Sequence, residues 1–129
     1  MGHMIQEEAR KLIAIYGEAW MERDANKILT VFTPDATYLD PREGTQVGHD
    51  GIRNYWNFKV LNSQKDIHFT LLNVWVDGDT VIAEWNAKFI DIARNLHIDM
   101  TEVAIFSTHG DKFSSLREYY SSIKTPVVS

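Results

Sequence analysis

The sequence predicts an α+β fold, with three helices packed on one face of a curved antiparallel sheet. Two observations carry that expectation. Up to Val60 apolar residues recur at spacings of three and four, and beyond residue 65 the spacing changes to two. Helices first and antiparallel strands second is the order of an α+β domain.

Each element can be justified in turn. Ile5, Ala9, Leu12, Ile13, Tyr16 and Trp20 make one apolar stripe on a helix of about 17 residues, with Glu7, Glu8, Arg10, Lys11, Glu18 and Glu22 on the other side. Asp24 is expected to cap a short second helix with Ile28, Leu29 and Phe32 facing inward, and Pro34 to stop it. Ala36 to Asp40 reads as a short extended piece, ended by Pro41 and a polar loop from Arg42 to Gly48. Asp50 is expected to cap a third helix that turns Ile52, Tyr55, Trp56 and Val60 to one face.

Phe69, Leu71 and Trp75 then alternate with Thr70, Leu72, Val74 and Val76, so both faces of this strand are expected to be half-buried. Asp77-Gly78-Asp79 is a hairpin signal, after which Val81, Ala83, Trp85, Ala87 and Phe89 alternate with Glu84, Asn86 and Lys88. Arg94-Asn95 forms the next turn, and Ile98, Met100, Glu102, Ala104 and Phe106 share one face of the strand after it. His109-Gly110-Asp111 leads into a last strand from about Phe113 to Ile123. No repeat or linker interrupts this order, so one domain over residues 5–125 is expected, with Met1-Gly2-His3 read as a cloning remnant.

Composition narrows the function. The chain has 129 residues, 44% of them apolar and 24% charged, and lacks cysteine, which excludes disulfides, thiolate nucleophiles and cysteinyl zinc sites. Thirteen Lys and Arg against 18 Asp and Glu leave a net charge of −5, which argues against nucleic acid or anionic membranes as partners. With no long apolar run and no leader pattern, a cytoplasmic protein is expected. No Gly-rich phosphate loop or nucleophile elbow occurs. His97 and Asp99, two apart on one strand face, lack a third ligand at strand or helix spacing, so no metal site is expected.

Five stretches carry a resemblance: Tyr16-Gly-Glu-Ala-Trp20, Val31-Phe-Thr-Pro-Asp-Ala-Thr-Tyr-Leu-Asp-Pro41, Gly48-His-Asp-Gly-Ile-Arg-Asn-Tyr-Trp56, Val103-Ala-Ile-Phe106 and Leu116-Arg-Glu-Tyr-Tyr120. The chain resembles the SnoaL-like and ketosteroid-isomerase-like branch of the nuclear transport factor 2-like superfamily. The resemblance implies a sheet curled into an apolar cone closed by the helices, and a homodimer through the outer face of the sheet. It also implies a small, mostly apolar ligand in the cone. The activity it implies is proton transfer next to a carbonyl, as isomerisation or as aldol-type ring closure of a polyketide-like substrate, without a cofactor. Because the same scaffold hosts non-catalytic binding domains and epoxide-hydrolase-like water activation, both stand as alternatives. For the latter, Asp91, Arg94 and Asp99 are the right residue types.

Particular residues follow from the match. The isomerases' oxyanion-donating tyrosine falls on Tyr16 and their general base on Asp40, with the same 24-residue separation. On pattern alone, Tyr16 reads as a core aromatic and Asp40-Pro41 as turn chemistry. Glu102 is a lone charge on an apolar strand face, so it lines a cavity or is paired. One extra hairpin residue aligns it with the isomerases' protonated second donor; without it Val103 takes that position. Leu116 and Tyr120 match pocket positions, a parity that turns Glu118 inward. A two-residue hairpin at His109-Gly110 instead sets Arg117 opposite Glu102. Trp20, Tyr55, Trp56, Trp85 and Met100 complete the expected ligand-binding wall, although the four tryptophans also read as core or interface. If Glu102 and Glu118 share a pocket with Asp40, at least one carboxyl should hold its proton.

Overall fold

The computed structural model describes residues 4–128, so the expected Met1-Gly2-His3 remnant lies outside the described residues. Helix α1 (Gln6–Glu22) buries Ala9, Ile13, Tyr16 and Trp20 along the expected stripe, while Ile5 precedes the helix and is exposed. Glu8 accepts a hydrogen bond from the Ile5 N–H at 3.1 Å, and Arg23 in the left-handed conformation closes the other end. Asp24 caps α2 (Ala25–Leu29) by accepting from the backbone of Asn26 and Lys27.

Strand β1 (Phe32–Asp40) starts earlier than the sequence reading has it. Phe32 belongs to this strand and not to the second helix, and Pro34 lies within the strand instead of ending that helix. Proline is tolerated there because the pairing of β1 is interrupted between Phe32 and Thr37, where its missing N–H leaves no ladder bond broken. The segment read as a polar loop contains β2 (Gly44–Val47), a hairpin partner of β1 with Gly44 opposite Asp40. Helix α3 (Gly48–Trp56) follows directly. Asp50 is therefore inside its first turn, 3.3 Å from Arg53, and is not the cap, a place held by Val47. One π-helical turn over Asn57–Leu61 extends α3 and buries Val60.

Strands β3 (Gln64–Asp77), β4 (Thr80–Asp91), β5 (Leu96–His109) and β6 (Lys112–Pro126) form the meander. The sheet order is β2-β1-β6-β5-β4-β3, antiparallel throughout except where β1 runs parallel to β6. Helix α1 lies across β3, and Gly17 permits the approach: a Cβ there would fall 2.4 Å from the Phe69 ring. On β4 the alternation is as expected, with Val81, Ala83, Trp85, Ala87 and Phe89 buried.

Strand β3 is the exception. Leu71 pairs with Trp85 but Asn73 with Glu84, so Leu72 is an extra residue that exchanges the two faces. Phe69 and Leu71 thus pack on the core together with Val74 and Val76, while Trp75 turns outward and is 51% exposed. The expected grouping of Phe69 and Leu71 with Trp75 is overturned by this bulge.

Candidate active site

Strand alternation gathers the polar groups. Tyr38 and Asp40 lie two apart on β1, and Glu118 and Tyr120 two apart on β6, so each pair shares a face. Tyr16 comes from α1, Tyr55 from α3 and Glu102 from β5. In the β5–β6 ladder Glu102 faces Tyr120, Ala104 faces Glu118, and Arg117 faces Ile105, so the register that turns Glu118 inward is the one present. Its cause is local: Ser107 pairs with Ser115 but Thr108 with Phe113, which leaves Ser114 as a bulge beside the hairpin.

Two hydrogen-bonded centres result. The Tyr16 and Tyr38 hydroxyls are 2.7 Å apart. Tyr38 donates to Glu118 Oε1 at 2.8 Å, and Tyr16 is within donating distance of the same oxygen at 3.1 Å. At the second centre Tyr120 donates to Asp40 Oδ1 at 2.8 Å and the Arg42 backbone N–H to the same oxygen at 2.9 Å. Tyr55 donates to Asp40 Oδ2 in a short hydrogen bond. Asp40 and Glu102 are each 1% exposed and Glu118 is 6% exposed. Glu102 differs from the other two carboxyls. Its Oε2 and the indole N–H of Trp85, which faces it across the β4–β5 ladder, make no hydrogen bond of ordinary geometry among the described residues.

Burial sets the protonation pattern. Loss of water, and secondarily the charge of Glu118, raises Glu102 well above the ordinary carboxyl range. Desolvation and the Asp40 charge push Glu118 up to about 7, against the opposing hydrogen bond from Tyr38. Desolvation and Glu118 likewise raise Tyr16 and Tyr38, so both hydroxyls keep their protons as donors. Glu102 and Glu118 together retain a proton at neutral pH, while both tyrosines remain neutral.

The groups enclose a cavity of about 50 Å³, space for a single small functional group. At Lys59, Gln64, Met100 and Tyr120 it meets an outer chamber of about 320 Å³. Tyr16, Asp40 and Glu102 all line the inner cavity. So do Trp20, Tyr55, Trp56, Met100, Glu118 and Tyr120. Trp85 and Leu116 do not. Both are buried behind the cavity, Trp85 against the Tyr16 ring at 5.1 Å between centroids and Leu116 opposite Phe106. Sequence reasoning missed Tyr38, Gln64, Lys59 and Val60 as lining residues. Tyr38 carried a usable signal, since it lies two residues before Asp40 on one strand and must share its face. Gln64 carried none; it is placed by accepting the Trp20 indole N–H at 2.8 Å.

The other polar sets stay apart. Asp91 and Arg94 adjoin in the outer chamber, whereas Asp99 accepts from Asn86 Nδ2 at 2.7 Å and lines a separate groove with His97. Among the described residues no group of three or more His, Cys, Asp or Glu could hold a metal ion, and no helix is long and apolar enough to cross a membrane.

Of the solved structures, an NTF2-like protein from Anabaena variabilis is similar with a TM-score of 0.79 at 20% identity, over 95% of this chain and 97% of that one. A hypothetical protein with a ketosteroid isomerase-like fold from Catenulispora acidiphila, in complex with trimethylamine, gives a TM-score of 0.77 at 22% identity, over 85% of each chain. The epoxide hydrolase/cyclase-like enzyme of pyran ring formation in polyether salinomycin gives 0.75 at 24% identity, over 92% of this chain and 95% of that one. A search of the curated proteins returns no match. The model of the SnoaL-like domain matches residues 13–116, a span that holds Tyr16, Asp40 and Glu102, and on that match the chain belongs to the SnoaL-like family, with an NTF2-like, ketosteroid isomerase-like fold.

Proposed function

We propose that this domain binds a mostly apolar small molecule in the cone and transfers a proton next to its carbonyl group, as an isomerase or a cyclase. The observation that carries the reading is the convergence of three buried carboxyls and four tyrosines on one small cavity. In this reading Asp40 takes the proton from the substrate carbon. Tyr16, with protonated Glu102 beside it, donates to the developing enolate oxygen. Tyr38 sets the Tyr16 hydroxyl, and Tyr55 and Tyr120 fix the orientation of the Asp40 carboxylate. When Glu118 is charged it competes for the Tyr16 proton, so protonated Glu118 is the active state.

The test is deuterium uptake into cyclic ketones, followed by NMR. Asp40→Asn should remove most of the rate, because an amide cannot accept a proton. Tyr16→Phe should cost on the order of 3 kcal/mol in barrier, the worth of one oxyanion donor. Exchange that survives Asp40→Asn unchanged would rule the mechanism out.

A second reading, non-catalytic binding, is favoured by a different observation. The inner cavity is only about 50 Å³, because the tip of the cone is occupied by the protein's own aromatic rings. In that case the outer chamber does the binding and the polar cluster is structural. The Asp91, Arg94 and Asp99 set of the epoxide-hydrolase-like alternative is divided, with Asp91 and Arg94 in the outer chamber and Asp99 in a separate groove.

We further infer a homodimer through the outer face of the sheet. There Trp75, Val103, Tyr119 and Ile123 are exposed, an apolar surface of the kind monomers rarely leave in water. A monomeric mass by light scattering at micromolar concentration would rule this out.

A further inference from the structure

The charge of the chain is inverted around the outer chamber. The protein carries −5 overall, yet Arg42, Lys59, Arg94 and Lys124 line this chamber against only Glu43 and Asp91. The two acids are each satisfied by a cation of their own. Lys59 Nζ is 2.8 Å from Glu43 Oε1, and Arg94 Nε is 3.9 Å from Asp91 Oδ2, whose other oxygen accepts the Arg94 backbone N–H. Arg42 and Lys124 take part in none of the ion pairs among the described residues. Arg42 does not project freely. Its guanidinium lies 5.6 Å from the centre of the Tyr120 ring, and its backbone N–H bonds Asp40, which ties it to the passage between chamber and cavity. The rest of the wall is mixed: Phe58, Phe89, Ile98 and Met100 supply apolar surface, and Ser63, Gln64 and Ser122 supply polar groups.

We infer that the ligand of this cone is an amphiphilic anion: an apolar body carrying one carboxylate or similar acidic group, held at the chamber by Arg42 and Lys124. The inference rests on the cone being the binding site and names the class of molecule that fits it. It also fixes orientation. The Asp40 carboxylate repels an anion from the inner cavity, so the acidic end stays with the two cations and the uncharged end enters. A carbonyl at that far end meets the tyrosines.

Two dyes of one skeleton separate charge from apolar binding. 8-Anilinonaphthalene-1-sulfonate is anionic, and N-phenyl-1-naphthylamine is its uncharged counterpart. Fluorescence titration should show both binding the wild type. Arg42→Gln combined with Lys124→Gln should weaken the sulfonate by about tenfold, as loss of charge-assisted contacts does, and change the neutral dye by less than about twofold. Added salt should weaken the sulfonate alone. Met100→Trp, which narrows the passage, should weaken both. An unchanged ratio of the two affinities in the Arg42/Lys124 variant overturns the anionic class while leaving the apolar cone intact. Failure of the neutral dye to bind, or indifference of both dyes to Met100→Trp, overturns the cone as the site and this inference with it.

Discussion

Glu118→Gln should make the protein more stable, by an amount that grows from about pH 4.5 and levels off above about pH 7. Buried Glu118 titrates at about 7 against an ordinary 4.5, because desolvation and the Asp40 charge oppose its ionisation. The native state therefore binds a proton that the unfolded chain has released across that interval. Stability falls as pH rises from about 4.5 to about 7 and stays lowered above it. A rise from 4.5 to about 7 corresponds to roughly 3 kcal/mol at about 1.4 kcal/mol per tenfold change in proton affinity. Glutamine keeps an oxygen to accept from Tyr16 and Tyr38 and carries no charge to desolvate. Thermal unfolding of wild type and variant should thus coincide near pH 4. They should separate by about 10 °C at pH 8.5, with the variant higher, taking about 4 °C per kcal/mol for a domain of this size. Taking the difference at each pH cancels groups common to both proteins. A separation independent of pH would refute the reasoning, since it would place the effect in packing and not in the charge.

Three further outcomes follow. Any exchange activity should decline as pH rises through about 7, because Glu118 then ionises and draws the Tyr16 proton away from the substrate oxygen; initial rates across pH 5 to about 9 measure this. Gly17→Ala should destabilise by about 1 to 2 kcal/mol in urea unfolding, as overpacking against Phe69 exceeds the gain in helix propensity. If two copies pair through the outer sheet face, Trp75→Lys should shift the mass read by light scattering toward monomer and leave the thermal unfolding of the monomer near that of wild type, because the side chain is 51% exposed.

What the sequence made legible depends on whether a residue's neighbours are set by period or by bulge. The stripe from Ala9 to Trp20 and the alternation from Val81 to Phe89 repeat long enough to fix both element and face. Strand β2 does not, since Gly44-Thr-Gln-Val47 has no apolar alternation and is defined by its pairing with β1. The bulges at Leu72 and Ser114 leave composition untouched while reversing every face beyond them. For that reason the sequence pattern groups Trp75 with Phe69 and leaves two registers open for Glu118. Within the cluster, Tyr16, Asp40 and Glu102 were singled out by family match and by the oddity of a lone charge on an apolar strand. Trp85 and Leu116 share an inward face with cavity residues, but depth along a strand is a tertiary quantity, and both fall behind the lining. Tyr38 is legible from its parity with Asp40 on β1.

The central claim is that the buried carboxyls hold a proton at neutral pH within reach of Tyr16. Carbon-13 NMR titration of the Glu102 and Glu118 side-chain carboxyls tests it most directly. The account predicts that Glu118 titrates near 7 and that Glu102 remains protonated through neutral pH, each midpoint falling when the other is changed to Gln. Midpoints for both near the ordinary 4.5 would contradict it, leaving a cluster of charged carboxylates with no acid to offer a substrate.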